Sequence, residues 1–509
     1  MKRYLLEFTV FTTGAVVMIL ELSGSRVLGP YFGNSVYIWT SLIGIILGSL
    51  SIGYWWGGRL ADKHPSFKFL SMIILGAAVC VGLITIGKEV VLQFIKQSIW
   101  DMRIAAVVAT TVLFAPPGIL LGMVSPYAVR LKMSGVKTSG QTVGNLYAIS
   151  TVGSIVGTFL TGFLLLALMG ITKLLFALAL LLVLLSLVVY SGQYRAAKIG
   201  LALMFSAAAI VSHQKSLARA HNGFIDVDSD YSRIWVVDGF DPRVRRMTRS
   251  MMTDPYGGQS VVFIDDLDDL YADYMRFYRL ANHFNTNMRR ALTIGGAGYA
   301  QPRDFLRLNP NAKLDVVEID PKFTQLAKKY FGLKEHPNLT IYHEDARTYL
   351  DRTTQRYDAV IVDAFQSTFT PPFQLSTVEA VRLYANVLSE DGVLLLNMVS
   401  SIEGDTGKFF RAQLATYKKV FPQVHVLAVM DKENSHAWQS LLLVASKSDK
   451  NLSFTSENPE YQRYLNQIWN AQVTDDMPIL TDDYVPVEHL LLDAVASLER
   501  ERVKTRARE

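Results

Sequence analysis

Long apolar runs fill the chain up to about residue 213 and then give way to short apolar stretches separated by charged ones. Five runs, 8–29, 38–56, 69–87, 104–122 and 143–169, match the roughly 20 residues a helix needs to cross a bilayer core. A sixth, 174–190, is slightly short but almost wholly aliphatic, and a seventh, 199–211, is shorter still. The length of the seventh suits an interfacial or re-entrant segment better than a crossing. The pattern therefore predicts six or seven helices, with length favouring six. After residue 286 the pattern changes to strands that alternate with amphipathic helices, which implies a parallel, doubly wound sheet covered on both faces.

Composition fits this division. The 509 residues are 50% hydrophobic and 19% charged, with a mean hydropathy of +0.22, an average over an apolar half and an ordinary α/β half. The boundaries read from the sequence are a membrane domain at 1–213, a small β-rich part at 214–285, a Rossmann-like, methyltransferase-type catalytic domain at 286–495 and a charged tail at 496–509. The N-terminal apolar run is too long for a signal peptide and is followed by others, so it reads as a retained first span. A net charge of +5 without a run of five like charges offers nucleic acid no landing strip. The single cysteine, Cys80, excludes an intrachain disulfide, and nine histidines without an HExxH pattern give no metal motif.

Basic residues fall on alternate loops: Lys2 and Arg3; Arg59, Lys63 and Lys68; Arg130, Lys132 and Lys137; Arg195 and Lys198. By the positive-inside rule that side faces the cytoplasm. Six crossings would place the following domain in the cytoplasm of a multi-pass cell-membrane protein, and seven would export it. Six is the expectation, because the nucleoside argued below is an intracellular metabolite. Glu21 and Arg26 are ionisable groups at membrane depth, read either as a mutually neutralised pair or as the lining of a polar path. The run GGRLADKHP at 57–65 resembles the short cytoplasmic loop of major-facilitator transporters.

The chemistry lies after residue 290. A short strand at 291–294 runs into GGAGYA at 295–300; LDVVEID at 314–320 ends in acids; a third strand ends at Glu344 and Asp345, and a fourth at Asp363. In such sheets ligands bind at the carboxyl ends of the strands. Glycines let the backbone approach a bound nucleoside, an acid after the second strand can accept from both ribose hydroxyls, and an acid after the third can accept from an adenine amino group. The order and spacing point to an S-adenosyl nucleoside. A nicotinamide dinucleotide is the runner-up, but GxGxxG is not cleanly present.

These segments resemble the spermidine synthase family of polyamine aminopropyltransferases, in particular its bacterial members with an N-terminal multi-span domain. The resemblance rests on VVEIDP (316–321), HEDARTYL (343–350), YDAVIVDAF (357–365) and TDDYVPVEHL (481–490), and upstream on YSRIWVVDG (231–239), MMTDPYGGQS (251–260) and YADYMRFYRLANHF (271–284). It implies that Gly295, Gly296, Gly298, Glu318, Asp345, Ala346 and Gln259 bind the nucleoside, and that Asp363 accepts the proton of the attacking amine. Tyr274, Tyr278, Gln366, Asp482 and Asp483 would line the amine site. The implied co-substrate is decarboxylated S-adenosylmethionine, or S-adenosylmethionine itself, with no metal; the partners are a polyamine or other small amine, the lipid bilayer and a second copy of the chain. Two positions depart from the family pattern: Gly298 and Gln366 stand where soluble members carry aspartates. Methyl transfer on the same fold and a nucleoside-sensing transporter stay open as alternatives.

Overall fold

The computed structural model describes residues 4–506 except 34, 134, 136–137, 193, 222, 255–256 and 366–371. The chain divides into two compact units, Met1–Ile234 and Trp235–Glu509.

The first unit is helical: α1 (Leu5–Phe32), α2 (Val36–Lys63), α3 (Phe67–Ser98), α4 (Met102–Lys132), α5 (Ser139–Leu160), a π turn (Thr161–Leu165) with the short α6 (Leu166–Leu168), α7 (Ile171–Val189) and α8 (Arg195–His221), ending in strand β1 (Phe224–Asp228). Seven of these helical segments are long and apolar enough to cross a membrane. The seventh lies in a helix longer than the apolar run 199–211. Helix geometry continues through the polar residues on both sides of that run, so α8 is 27 residues long. Glycines set the close approaches: a Cβ at Gly153 would strike the Phe11 carbonyl, and one at Gly53 the Ile119 carbonyl.

Both ends of α8 are fixed. At its start Lys198 Nζ donates to the carbonyls of Ser186 (3.0 Å) and Tyr190 (2.6 Å), at the end of α7, and to the Ser71 hydroxyl near the start of α3. Past its end, the Asp228 carboxylate accepts from the Ile171 N–H (3.3 Å) at the start of α7. Helix α8 thus traverses the whole unit antiparallel to α7. The basic loops gather at the Lys198 end, where Arg130 pairs with Asp62 at 2.9 Å and Lys132 with Glu7. The chain leaves the unit at the other end. There Arg26 donates to the carbonyls of Ser229 (3.0 Å) and Asp230, so the expected Glu21–Arg26 pair is not formed.

In the second unit, β2 (Arg233–Asp241, which begins at the boundary), β3 (Arg246–Asp254) and β4 (Gly257–Phe263) pair antiparallel. A helical segment follows: α9 (Asp273–Phe277), a 3-10 turn (Tyr278–Leu280) and α10 (Ala281–Phe284). Then come β5 (Arg290–Ile294), α11 (Ala300–Leu308), β6 (Lys313–Val317), α12 (Pro321–Tyr330), β7 (Leu339–Tyr342), α13 (Ala346–Arg352), β8 (Tyr357–Val362), α14 (Val378–Val387), β9 (Leu388–Ser400), α15 (Lys408–Lys418), β10 (Gln423–Ala428), β11 (Gln439–Ser446), α16 (Pro459–Leu465) and α17 (Val487–Arg506).

The seven-stranded sheet runs β10-β11-β9-β8-β5-β6-β7. Five strands are parallel as expected; β11 joins β9, and β10 joins β11, antiparallel, so the sheet is mixed. Helices α13, α14, α15 and α17 cover the face of Leu292, Val360 and Leu394. Ala291, Ile361 and Leu395 on the other face are equally buried, which explains why these strands read as continuous apolar runs. The order reverses at β5, with β6 on one side and β8 on the other. That switch point opens a crevice at the carboxyl ends of β5 and β8.

Candidate active site

The glycine turn and the candidate base meet in this crevice. Gly295 has φ = 92°, and a Cβ there would run into the carbonyl of Asp363. The Gly295 N–H donates to the Val317 carbonyl (2.9 Å) and the Asp363 N–H to the Ile294 carbonyl (2.9 Å), which ties the carboxyl ends of β5, β6 and β8 together. Only glycine gives both the left-handed backbone and the close approach. Gly298 packs under β4, where a Cβ would strike the Ser260 hydroxyl.

Glu318, just past β6, reaches into the same turn. Its Oε2 accepts from the N–H groups of Gly296 (2.8 Å) and Ala297 (3.1 Å), and its Oε1 from the Asp320 N–H (3.0 Å). Burial pushes its pKa up, and those three donors oppose the shift. An ionised carboxylate offers about four acceptor positions, so one stays open for a hydroxyl.

Asp363 is held from two sides. Tyr274 Oη donates to Oδ2 at 3.2 Å, and Asn397 Nδ2 on β9 donates to Oδ1 at 3.2 Å. Burial raises its pKa to about 6, against the pull of Asn397, Tyr274 and Tyr278. The rings of Tyr274 and Tyr278 meet edge to face at 5.9 Å. Their hydroxyls are held protonated by burial beside the Asp363 charge, their pKa values lying well above 10.0. Arg279, next in the turn, fixes this segment through a bidentate pair with buried Asp304 (2.8 and 2.9 Å) and a bond to Glu460 (2.6 Å).

Asp345 caps α13, its Oδ1 accepting from the Thr348 N–H at 3.0 Å, with Ala346 buried beside it. Gln259 on β4 donates to the Thr253 hydroxyl at 3.0 Å. Asp482 is already neutralised: Arg347 donates to both its oxygens (2.7 and 3.3 Å) and Thr377 to Oδ1 (2.6 Å). Burial alone would raise its pKa, but Thr377 and Arg347 outweigh burial and hold it below the usual range. Asp483 is exposed, and Gln366 lies outside the described residues.

Residues 275–454 match the spermine/spermidine synthase domain. A polyamine aminopropyltransferase of Vibrio vulnificus is 31% identical over 176 residues, 34% of this chain and 57% of that protein. A probable polyamine aminopropyl transferase of Bifidobacterium longum is 29% identical over 261 residues, 47% of this chain and 57% of that one. The chain thus spans a little over half the length of these two relatives. Polyamine aminopropyltransferase 1 of Streptomyces coelicolor is 23% identical over 426 residues, 77% of this chain and 75% of that protein, a match long enough to extend into the helical half. Among solved structures, a probable spermidine synthase from Corynebacterium glutamicum aligns with 49% of this chain and 88% of its own, at 20% identity and a TM-score of 0.40.

The synthase-like domain holds two site residues that the sequence reading passed over. Asn397 is signalled only as a polar residue in the apolar strand LLLNMVS, and Tyr299 only as an aromatic at the turn. Tyr299, with φ = 56°, is wholly buried; its ring lies where a Cβ at Gly296 would go, and its hydroxyl bonds that of Thr324 at 2.7 Å.

Proposed function

We propose that the second unit is an aminopropyltransferase that moves the aminopropyl group of decarboxylated S-adenosylmethionine to a small amine such as putrescine. The observation that carries this reading is the contact of the glycine turn with Asp363, which sets a base beside the nucleoside crevice. Glu318 accepts from the ribose, Asp345 and Ala346 meet the adenine, and Gly295, Gly296 and Gly298 admit the nucleoside with Gln259 beside it. Tyr274 and Tyr278 wall the amine site, with the exposed Asp483 on its approach.

An ammonium has no lone pair, so Asp363 first takes its proton. The free amine then attacks the methylene carbon on sulfur: the C–N bond forms, the C–S bond breaks, and sulfur keeps the pair as the thioether of methylthioadenosine. With a pKa of about 6 the carboxylate is about nine-tenths ionised at pH 7, close enough to the working pH to accept and return a proton. The sulfonium is itself the leaving group, so this step needs no metal. The test is to incubate the full chain with decarboxylated or intact S-adenosylmethionine, with and without putrescine, and identify the nucleoside released. Methylthioadenosine supports the reading, and S-adenosylhomocysteine replaces it with methyl transfer.

We also propose that the first unit anchors the protein in a membrane through seven crossings. The passage of α8 from the basic-loop end to the opposite end supports seven rather than six. With the basic end in the cytoplasm, residues after Ile234 emerge on the other side, which decides which pools of nucleoside and amine the site meets. The family resemblance supports a homodimer as the assembly.

A further inference from the structure

The helical unit holds an ionisable side chain that transfer at Asp363 does not use. Glu21 lies about 24 Å along α1 from Leu5 and about 16 Å from Phe32, within about 4 Å of the helix midpoint. No residue of α1 from Thr9 to Phe32 is exposed, so α1 is an interior helix, packed against α2, α4, α5 and α7. Glu21 is half-buried on it and has no hydrogen bond or ion pair among the described residues, Arg26 being engaged with the carbonyls of Ser229 and Asp230.

Two neighbouring helices are irregular at the same depth. Gly153 lies against Phe11 and Gly157 against Ala15, so α5 runs parallel to α1, and this register puts the π turn Thr161–Leu165 level with residues 19–23. On α4, Phe114 lies against Gly24, and Pro116 and Pro117 follow within a turn. Each proline lacks an N–H, so the carbonyls of Val112 and Leu113 lose their helical donors. Irregular backbone at membrane depth is tolerated where it is buried or lines a cavity, and a carboxylate there marks a path or site for a cation.

We propose that Glu21 is the anionic contact of a binding site for a protonated amine in the middle of the helical unit, at the level of the π turn of α5 and the proline pair of α4. A lone carboxylate matches one ammonium group. A hard divalent cation takes about six or more oxygens, and the described residues hold no cluster of three or more His, Cys, Asp or Glu. The apolar helices around Glu21 suit the methylene chain of the same ligand class that the catalytic unit is proposed to use, but the site does not depend on catalysis.

The test uses the full chain in detergent, equilibrated with radiolabelled putrescine or spermidine without nucleoside, so its outcome is independent of transfer. Wild type and Asp363→Asn bind the amine at a site whose affinity falls at least about tenfold in Glu21→Gln. Transfer by Glu21→Gln stays within about twofold of wild type, and Glu21→Asp, which keeps the charge, keeps binding. Wild-type binding by Glu21→Gln, or loss of binding in Glu21→Asp as well, would overturn the proposal. So would proton uptake into protein-containing vesicles at Glu21 without amine binding, which would make Glu21 a proton site.

Discussion

Asn397 Nδ2 reaches across from β9 to Asp363 Oδ1 at 3.2 Å, so the proposed base at the end of β8 is held by the neighbouring strand. A hydrogen bond to a charged group contributes about 1.5–3 kcal/mol, equivalent to about one to two pKa units. Asn397→Leu therefore raises the Asp363 pKa from about 6, and the acid limb of the rate profile moves up by about one unit. Activity at pH 7 falls about twofold and recovers at higher pH. A profile that keeps its inflection would show that Asn397 does not set the ionisation of the base.

The strands, the glycine turn and the acids at the strand ends were legible because each is a local pattern: an apolar run, a turn residue, a polar stop. Asn397 was not, since one polar residue in β9 gains meaning only when β9 is placed beside β8. The partner of Asp482 was not legible for the same reason: nothing in TDDYVPVEHL reveals that Arg347, more than a hundred positions earlier, pairs with it. The span of α8 was underestimated because hydropathy reports the apolar run, whereas the helix continues through polar flanks.

Arg347 holds Asp482 through both carboxylate oxygens. Because its charge is already matched by Arg347 at a partly exposed site, Asp482→Asn costs about 1 kcal/mol or less in stability and leaves the KM for the amine within about twofold. A steady-state titration of putrescine checks this. A rise in KM of about tenfold or more would return Asp482 to the amine site.

Gly295→Ala places a methyl group on the Asp363 carbonyl at a backbone angle that L-residues rarely adopt. The strain and the clash together cost about 2 kcal/mol or more, and transfer is lost because the strand ends separate. Thermal unfolding of the two proteins side by side reads the first effect and nucleoside release the second. Equal stability and turnover would mean that the contact is not tight.

The crossing number is tested with single-cysteine variants in a Cys80→Ser background, which is otherwise free of cysteine. Gly135 lies in the loop between α4 and α5, and Lys450 is an exposed residue of the second unit. In intact cells a membrane-impermeant maleimide labels a cysteine at position 450 but not one at position 135. Protection of both positions would restore six crossings and a cytoplasmic catalytic unit.

Asp363 also links activity to pH and stability in opposite senses. Its folded pKa lies above the unfolded value, so its protonated form favours folding below about pH 4, and that contribution is lost as pH rises through about 6. Catalysis needs the ionised form and gains over the same interval. The decisive measurement is the pH dependence of kcat/KM for aminopropyl transfer, in wild type and in Asp363→Asn. The wild-type rate should rise with an inflection near 6, and Asp363→Asn should lose at least about a hundredfold at pH 7 while unfolding at the same or a higher temperature. An Asp363→Asn enzyme that keeps full turnover with an unchanged profile would contradict the assignment of Asp363 as the proton acceptor.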